Sequence, residues 1–446
     1  MSFERALADA VQRAERARPD QLIVIGGAAS PSDIKHAAHM PAPILWDSSR
    51  SLGGDGVRFE AWGSAAVVQA NGDSRFEHVR ARAHALLADA WVIGDAEPRF
   101  VGGFAFSAGR RGAFTAFGDA RFVLPRWSAA PGHLQLTARA SELWKSSNLV
   151  SELGQAPAGA TARGGGATQE SNGISAFRLA ATEALSRIGA GTLEKVVVVR
   201  ESKLAGACSL RDAWPRLETE SAPVHFAISS GEHTFLGASP ELLVAFDGQA
   251  LKTEAIAGTA ARRGNELEET EGLLASEKDG REHAFVVEAI MEALRARGAV
   301  SITALSRHVR TLRNVHHLAT PILASAPTTH VLDWVAALHP TPAVCGVPRK
   351  AALQFIAEQE PFERGWFAAP VGWFDLQGRG QFCVALRSAL LTPNETHLFA
   401  GAGLVQGSEV DAELAETEAK FASMRRALGF DESATAHTTA QQRSAP

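Results

Sequence analysis

The chain has 446 residues, of which 46% are hydrophobic and 21% are charged, and its formal net charge at pH 7 is −5. These values are typical of a globular protein longer than a single usual core, and the negative charge argues against nucleic acid or an acidic membrane as the main partner. The three cysteines have no CxxC spacing, so we expect neither a disulfide framework nor a zinc site. No apolar run reaches the roughly 18 residues that span a bilayer, and the first residues do not resemble a signal peptide, so a cytoplasmic location is predicted.

The first part of the chain, residues 1–153, is predicted to form an N-terminal α+β part of the fold. Residues 2–18 have the apolar spacing of an amphipathic helix. Between residues 22 and 70, short apolar runs alternate with turn residues, which predicts strands of an antiparallel sheet. Residues 154–173 are rich in glycine, alanine and threonine, a composition that predicts a flexible linker or a surface loop.

The second part, residues 174–430, is predicted to contain both helices and strands. A helix is predicted at 174–188, a buried strand at 195–200 and one long helix at 266–297. The polar residues 431–446 are predicted to form a disordered tail. Because helices and strands are mixed without a strict βαβ rhythm, the predicted fold class is α+β, with large antiparallel sheets packed with helices.

Three ionisable residues lie beside apolar neighbours, and each has two interpretations. Lys195 begins the apolar run 195–200; it is either a strand-end lysine reaching water or an amine desolvated by valines and usable as a general base. Glu241 follows a Ser-Pro pair; it is either an acid on a surface turn or a carboxyl group that burial keeps protonated as a general acid. Arg387, in a strand predicted over 382–391, is either a surface arginine or a clamp for a substrate carboxylate.

Three further residues near the C-terminus share one face of a predicted helix. Glu413, Glu416 and Lys420 have spacings of three and seven, which fits either a solvated charged face or two carboxylates that face a hard cation. Glu282, in the long predicted helix, offers a third carboxylate. A ligand set made only of oxygen suits Mg²⁺, which commonly takes one or two carboxylates together with water and substrate oxygens.

A series of ordered motifs makes these separate features more specific. The motifs are KVVVVR at 195–200, GASPELL at 237–243, AIAGTAARRG at 255–264, LLASEKDGREH at 273–283, HHLATP at 316–321, LHPTPAVCGVP at 338–348, EPFERGWFAAPVGW at 360–373, VALRSA at 384–389 and AGAGLVQGSE at 400–409. With them the chain resembles the chorismate-utilising enzyme family, which includes isochorismate, salicylate, anthranilate and aminodeoxychorismate synthases. The resemblance covers nearly all of residues 174–430, which it marks as a chorismate-binding catalytic domain; the first part matches more loosely.

Two positions bear on the reaction that this resemblance implies. Family members that install an amino group generally lack the strand lysine, whereas members that activate water carry it, as Lys195 does here. The nucleophilic lysine that some aminodeoxychorismate synthases have before their Gly-Thr pair is replaced by Ala257. The resemblance therefore implies Mg²⁺-dependent isomerisation of chorismate to isochorismate, by water attack at ring carbon 2 with loss of the carbon 4 hydroxyl. Salicylate synthase activity, with pyruvate elimination as a second step, is an alternative, as are an aminating subunit and a catalytically silent chorismate-binding protein.

The resemblance also implies a role for each candidate residue. Lys195 would activate water and Glu241 would protonate the leaving hydroxyl group. Glu282 and Glu416, with Glu413 close by, would hold Mg²⁺ at the ring carboxylate, and no organic cofactor is expected. The residues implied to bind chorismate are Gly258 and Thr259 at the ring carboxylate, Arg387 and Lys420 at the enolpyruvyl carboxylate, His317 as a positioning group, and Ala343, Phe367 and Gly403 as further contacts. No nucleic acid, membrane or obligate protein partner is expected.

Overall fold

The structure is a computed structural model, and it describes residues 1–30, 44–51, 56–144, 168–169, 171–206, 208–313, 315–326 and 329–430. Most of the segment predicted as a linker, 154–173, and all of the predicted tail, 431–446, lie outside these residues. Within them, no helix is long and apolar enough to cross a membrane. Two large sheets, packed with helices, contain the strands, so the predicted α+β class with large antiparallel sheets is confirmed.

The larger sheet contains thirteen strands within the described part of the chain. In spatial order they are β10 (Thr168–Gln169), β11 (Lys195–Ala205), β23 (Glu395–Val405), β22 (Ser388–Leu391), β13 (His233–Ser239), β12 (Val224–Ser230), β2 (Ile44–Asp47), β3 (Arg58–Trp62), β8 (Trp127–Ala130), β9 (His133–Arg139), β1 (Leu22–Ala28) and β5 (Trp91–Gly94), with β19 (Gly346–Val347) paired to β11. Because β2 pairs with β12, the N-terminal part of the chain continues the same sheet as the second part.

The smaller sheet contains ten strands among the described residues. In spatial order they are β16 (Val300–Ala304), β18 (Val315–Ser325), β15 (Ala250–Ala261), β14 (Leu242–Phe246), β21 (Gly380–Val384), β20 (Pro370–Asp375), β6 (Arg99–Phe104), β7 (Ala120–Leu124) and β4 (Ala66–Ala70), with β17 (His308–Thr311) paired to β18. Here too the two parts of the chain meet, because β6 pairs with β20. The boundary placed at 154–173 stays a prediction.

The helices lie around these sheets. They are α1 (Phe3–Ala14), α2 (Arg75–Leu87), α3 (Ala140–Leu143), α4 (Ser171–Gly189), α5 (Leu210–Leu217), α6 (Glu266–Ala275), α7 (Glu277–Ala296), α8 (Val331–Leu338), α9 (Arg349–Gln359) and α10 (Val410–Leu428), together with a short 3₁₀ turn, Gly112–Phe114. The helices α7 and α10 matter most for function, since they carry the acidic residues Glu282, Glu413 and Glu416.

The main hydrophobic core joins the two sheets. Its buried residues include Phe226 and Phe235 from the larger sheet and Phe122 and Phe382 from the smaller one. Phe114 fills the same core, and its ring centre lies 4.9 Å from that of Phe235 in an edge-on arrangement. Burial of apolar surface is the dominant favourable contribution to folding, so this shared core holds both sheets in one frame.

The long helix predicted over 266–297 is in fact two helices. The break lies at Ser276, whose backbone is extended (φ −67°, ψ 115°) and whose hydroxyl accepts a hydrogen bond from the N–H of Asp279. This is the geometry of a helix N-cap. The single-helix prediction was therefore wrong at this residue, and α7 has its own N-terminus beside β15.

The strand predicted over 382–391 is also interrupted. β21 ends at Val384 and β22 begins at Ser388, and between them Arg387 has a left-handed backbone with φ 46°. Its carbonyl accepts a hydrogen bond from the Ala238 N–H at 3.0 Å. The interruption has a topological cause, because β21 belongs to the smaller sheet and β22 to the larger one. Arg387 therefore stands where the chain crosses between the sheets.

Candidate active site

A cleft lined by strands of both sheets gathers most of the predicted site residues. Eleven of the thirteen predicted residues line it: Glu241, Gly258, Thr259, Glu282, His317, Ala343, Phe367, Arg387, Gly403, Glu416 and Lys420. The other two, Lys195 and Glu413, do not line the cleft. Lys195 pairs with Glu282 and Glu413 lies near Glu416, and both of these carboxylates line it.

Lys195 is enclosed and does not reach solvent. Only 1% of its side chain is exposed, and its Nζ atom lies 2.9 Å from Oε1 of Glu282 on α7. In the pairing of β11 with β23, Val197 lies opposite Gly403. A Cβ atom at position 403 would come within 2.5 Å of Glu282 Oε1 and 3.3 Å of Lys195 Cε. Glycine at 403 therefore leaves the space that the ion pair occupies, and the alternative of a strand-end lysine in water does not hold.

Glu241 is buried in the turn between β13 and β14, with 2% of its surface exposed. Its N–H donates to Ser239 Oγ at 3.2 Å, and its carbonyl accepts from the Val384 N–H at 3.1 Å. Burial, and secondly the negative charge of Glu254, raise the pKa of Glu241 to about 8. The carboxyl group is therefore mostly protonated at neutral pH, the state that a general acid requires.

Gly258 and Thr259 lie at an irregularity of β15, where its register with β18 shifts. Gly258 has φ 80°, a conformation that glycine adopts readily. The Thr259 N–H donates to Asp279 Oδ1 at 3.3 Å, and its hydroxyl lies 3.0 Å from Nδ1 of His317. Burial and nearby cations hold the pKa of His317 well below its ordinary value, so the imidazole is neutral. The Thr259 hydroxyl and the His317 imidazole are therefore polar groups without charge in the cleft.

The opposite electrostatic character is found at Arg387 and Lys420. The Arg387 Nη2 atom is buried and has no hydrogen-bond partner among the described residues. Burial lowers the pKa of Arg387 to about 10, so the guanidinium remains a cation at neutral pH. Lys420 Nζ donates to the carbonyl of Gly401 at 2.7 Å. A buried guanidinium N–H without a partner is costly, and a ligand carboxylate is the group best suited to satisfy it.

Each of the three predicted metal ligands is paired with a lysine. The pairs are Glu282 with Lys195 at 2.9 Å, Glu413 with Lys278 at 2.8 Å and Glu416 with Lys420 at 2.5 Å. Burial, and next the negative charge of Glu416, raise the pKa of Glu413. These two carboxylates on α10 are therefore close enough to repel each other, and a shared cation would relieve that repulsion.

The donor set suits a magnesium ion, although it is not a preassembled cluster. No group of three His, Cys, Asp or Glu side chains poised around one ion occurs in the part of the chain that the structure describes. Glu282 and Glu416 nevertheless line the same cleft from two different helices, and one or two carboxylates with water and substrate oxygens are a common magnesium site. The residues present therefore fit the ion that the motifs implied.

The structure also reveals an ion pair that the sequence analysis did not assign. Arg310 on β17 pairs with Glu254 on β15, whose side chain is completely buried. A carboxylate directly before the small and apolar run Ala255-Ile256-Ala257-Gly258 was a usable signal for Glu254. Nothing local identified Arg310, because the two partners are 56 residues apart in sequence. Lys278, the partner of Glu413, lies within the motif at 273–283, but the sequence analysis assigned it no role.

Comparison with known proteins defines the class of the protein. The chain matches the family model described as chorismate binding enzyme over residues 44–429. Because this match covers most of its length, the protein belongs to the chorismate-binding enzymes. The resemblance read from the motifs is thereby confirmed.

Curated relatives make the similarity more particular. The chain is 39% identical over 410 residues to the salicylate biosynthesis isochorismate synthase of Pseudomonas aeruginosa, and the match covers 84% of each chain. It is 38% identical over 256 residues to the isochorismate synthase MenF of Escherichia coli K12, a match that covers 56% of this chain and 59% of MenF.

Solved structures agree with these sequence matches. The structure of MenF, the menaquinone-specific isochorismate synthase of Escherichia coli, superposes with a TM-score of 0.75 at 27% identity, covering 96% of this chain and all of that one. Anthranilate synthase component I from Streptococcus pneumoniae superposes with a TM-score of 0.66 at 19% identity, covering 92% of this chain and 93% of that one. The latter likeness concerns the fold alone.

Proposed function

We propose that the protein is an isochorismate synthase, which interconverts chorismate and isochorismate. The observation that carries the proposal is the presence, around one cleft, of a buried amine at Lys195 and a buried carboxyl group at Glu241 that is protonated at neutral pH. Moving a hydroxyl group between ring carbons needs a base for the incoming water and an acid for the departing group. The family membership and the relatives named above support the same activity.

In this proposal Lys195 acts on the water that enters and Glu241 acts on the hydroxyl group that leaves. Lys195, in its neutral amine form, accepts a proton from the water whose oxygen forms a bond with ring carbon 2. The ring double bonds shift, the bond between carbon 4 and its hydroxyl oxygen breaks, and Glu241 donates the proton that lets this group leave as water. One water enters and one leaves, so the reaction is an isomerisation. General acid and base contributions of this kind are worth roughly 10²–10⁴-fold each.

The remaining residues would bind and orient the dicarboxylate substrate. Arg387, with its buried unpartnered Nη2 atom, and Lys420 would hold the enolpyruvyl carboxylate. The backbone at Gly258 and the hydroxyl of Thr259 would hold the ring carboxylate, with His317 beside it. Ala343, Phe367 and Gly403 would shape the walls around the ring. Fixing a reactant in a near-attack geometry is itself a large catalytic contribution.

Magnesium is part of the proposal as a cofactor. Glu282 and Glu416 would hold it, with Glu413 next to them, and the lysines now paired with these carboxylates would lose their counter-ions to it. When bound, the ion would neutralise the ring carboxylate and withdraw electron density from the conjugated ring. No organic cofactor is needed, because positioning and acid–base action account for the chemistry.

Product identification tests the function directly. The full chain is incubated with chorismate and Mg²⁺, and the products are separated by chromatography; isochorismate is the expected product, formed reversibly. Salicylate together with pyruvate would instead assign a lyase, and an aminated product formed with ammonia would assign an aminating synthase. Binding of chorismate without any turnover would assign a silent binding protein. The Lys195→Ala variant is the control that ties any product to this cleft.

A further inference from the structure

The buried pair of Glu254 and Arg310 lies directly behind the turn that carries Glu241. Arg310 Nη2 donates to Glu254 Oε1 at 2.6 Å, and Nη1 donates both to Glu254 Oε2 and, at 3.0 Å, to the carbonyl of Pro240. The Glu254 side chain is completely buried and that of Arg310 is 16% exposed. A bidentate pair of this kind is geometrically specific, so Arg310 holds the residue just before Glu241 in one place.

Neither member of the pair lines the cleft, whereas Pro240 and Glu241 both do. Glu254 lies in β15 opposite Pro321 of β18, and Arg310 lies in β17 opposite His317 of β18. The strands β15 and β17 of the smaller sheet therefore place the pair behind the turn that carries Glu241. The pair does not touch the space available to substrate, so any effect on the reaction acts through Glu241.

Charged and titratable groups face Glu241 from four strands. They are Lys195 from β11, Glu254 from β15, Arg310 from β17 and the Cys383 thiol from β21. After burial, Glu254 is the strongest influence that raises the pKa of Glu241, while Lys195 and then Arg310 lower it. An arginine placed alone behind this carboxyl group would favour the ionised form, which cannot donate a proton.

We propose that Glu254 and Arg310 are a positioning pair for Glu241, in which Arg310 anchors the turn and Glu254 cancels the charge that the anchor introduces. This inference rests on the proposed function, because it assigns Glu241 the role of proton donor. It explains why a fully buried carboxylate lies beside an acid that must stay neutral. An uncharged anchor could not form the same forked contact with both the carboxylate and the backbone carbonyl.

The test is the pH profile of kcat/KM for chorismate, whose alkaline limb reports the ionisation of Glu241 in the free enzyme. In Glu254→Gln the arginine charge is no longer cancelled, so the limb should move to lower pH by about one unit. In Arg310→Met the unpaired Glu254 takes up a proton because it is buried, so both charges behind Glu241 are lost together; the limb should stay close to its original position while kcat falls. The double variant should match Arg310→Met in both the limb and the low kcat. A limb that stays in place or moves upward in Glu254→Gln overturns the proposal.

A matched control separates this effect from a general loss of stability. Asp375 is a buried carboxylate in the same sheet, paired with Arg379 at 2.6 Å and remote from the cleft lining. Asp375→Asn should lower the melting temperature without moving the alkaline limb. Arg310→Lys, which keeps the charge but not the forked geometry, should lower kcat with the limb unmoved and serves if Arg310→Met does not fold.

A second readout works without turnover. Infrared difference spectroscopy can follow the protonated carboxyl group of Glu241 as pH is raised, with Glu241→Gln identifying its band. The midpoint should fall in Glu254→Gln and stay close to the wild-type value in Arg310→Met, as in the kinetic profile. If the wild-type chain made no isochorismate, the proposed function would fail while this titration still decided the pair; an unchanged midpoint in Glu254→Gln would refute the pair alone.

Discussion

Lys195 Nζ lies 2.9 Å from Glu282 Oε1, and this oxygen and Lys195 Cε border the space that a Cβ atom at position 403 would fill. This contact joins the first residue of β11 to the second turn of α7. Removing either partner of such a buried ion pair destabilises the protein, because the remaining charge is left buried and unpaired. The ion pair therefore places the proposed base and a proposed metal ligand in one electrostatic unit.

Replacing Lys195 by alanine should remove the base. We expect kcat for isochorismate formation to fall by ~10²-fold or more, because the group proposed to accept the proton from water would be gone. The measurement is steady-state turnover of chorismate with far-ultraviolet circular dichroism to verify folding. Lys203→Ala is the matched control, since Lys203 lies on the same strand with 48% of its side chain exposed, and it should keep full activity. Near-normal turnover in Lys195→Ala would remove the assigned role.

Adding one methyl group at position 403 should disturb the same unit. In Gly403→Ala the new Cβ atom would lie 2.5 Å from Glu282 Oε1, so the carboxylate must shift from its present position beside Lys195. A displacement of about 1 Å at a reacting group can cost ~10²-fold in rate, and we expect a loss of that order in kcat/KM. Gly272→Ala is the comparison, because a Cβ atom at that position in α6 meets no atom within 4 Å. Equal activity of the two variants would mean that this space is not needed.

Most of the residues that the motifs singled out line one cleft, and there is a physical reason for this. Glu241, Gly258 and Gly403 are each embedded in short segments whose turn or strand character is visible locally, so their neighbours in sequence are also their neighbours in the cleft. What the motifs could not supply was the partner of each side chain. The pairing of Glu254 with Arg310 depends on which strands adjoin, and that is decided by the whole sheet.

The two errors in secondary structure have different causes. The cap at Ser276 had a visible local signal, an acidic residue three positions later that resembles a capping pattern, but the helical periodicity on both sides masked it. The left-handed backbone at Arg387 had none, because arginine does not favour positive φ. Only the transfer of the chain from one sheet to the other imposes that conformation, and such strain is typical of functional positions.

The raised pKa of Glu241 predicts how activity depends on pH. Since the proton donor must be protonated and its pKa is about 8, the alkaline limb of kcat/KM should fall as pH rises through about 8. Glu241→Gln, which cannot donate a proton, should lose ~10²-fold or more at every pH. An alkaline limb near the ordinary glutamate value of 4.5 would contradict the buried acid.

The same shift predicts the dependence of stability on pH, with a sign that can be checked. The pKa in the folded state lies above the unfolded value, so the stabilising contribution of protonated Glu241 is complete below about 4.5 and is lost as pH rises through about 8. Glutamine carries no ionisable group. The melting temperature of Glu241→Gln relative to wild type should therefore rise between pH 5 and pH 8.5, and a constant or falling difference would be inconsistent with the shift.

Removal of magnesium by a chelator should abolish turnover, and added Mg²⁺ should restore it, because the charge on the ring carboxylate would otherwise lack its counter-ion.

Glu416→Ala should raise the Mg²⁺ concentration needed for half-maximal activity by at least tenfold, the smaller end of the effect seen when groups around a bound metal are removed. Asp411→Asn is the matched control on α10, since the Asp411 side chain is 78% exposed and pairs with Arg178 away from the cleft. Isothermal titration with Mg²⁺ gives a readout independent of turnover: binding should weaken in Glu416→Ala and stay unchanged in Asp411→Asn. Full activity in excess chelator would refute the metal site.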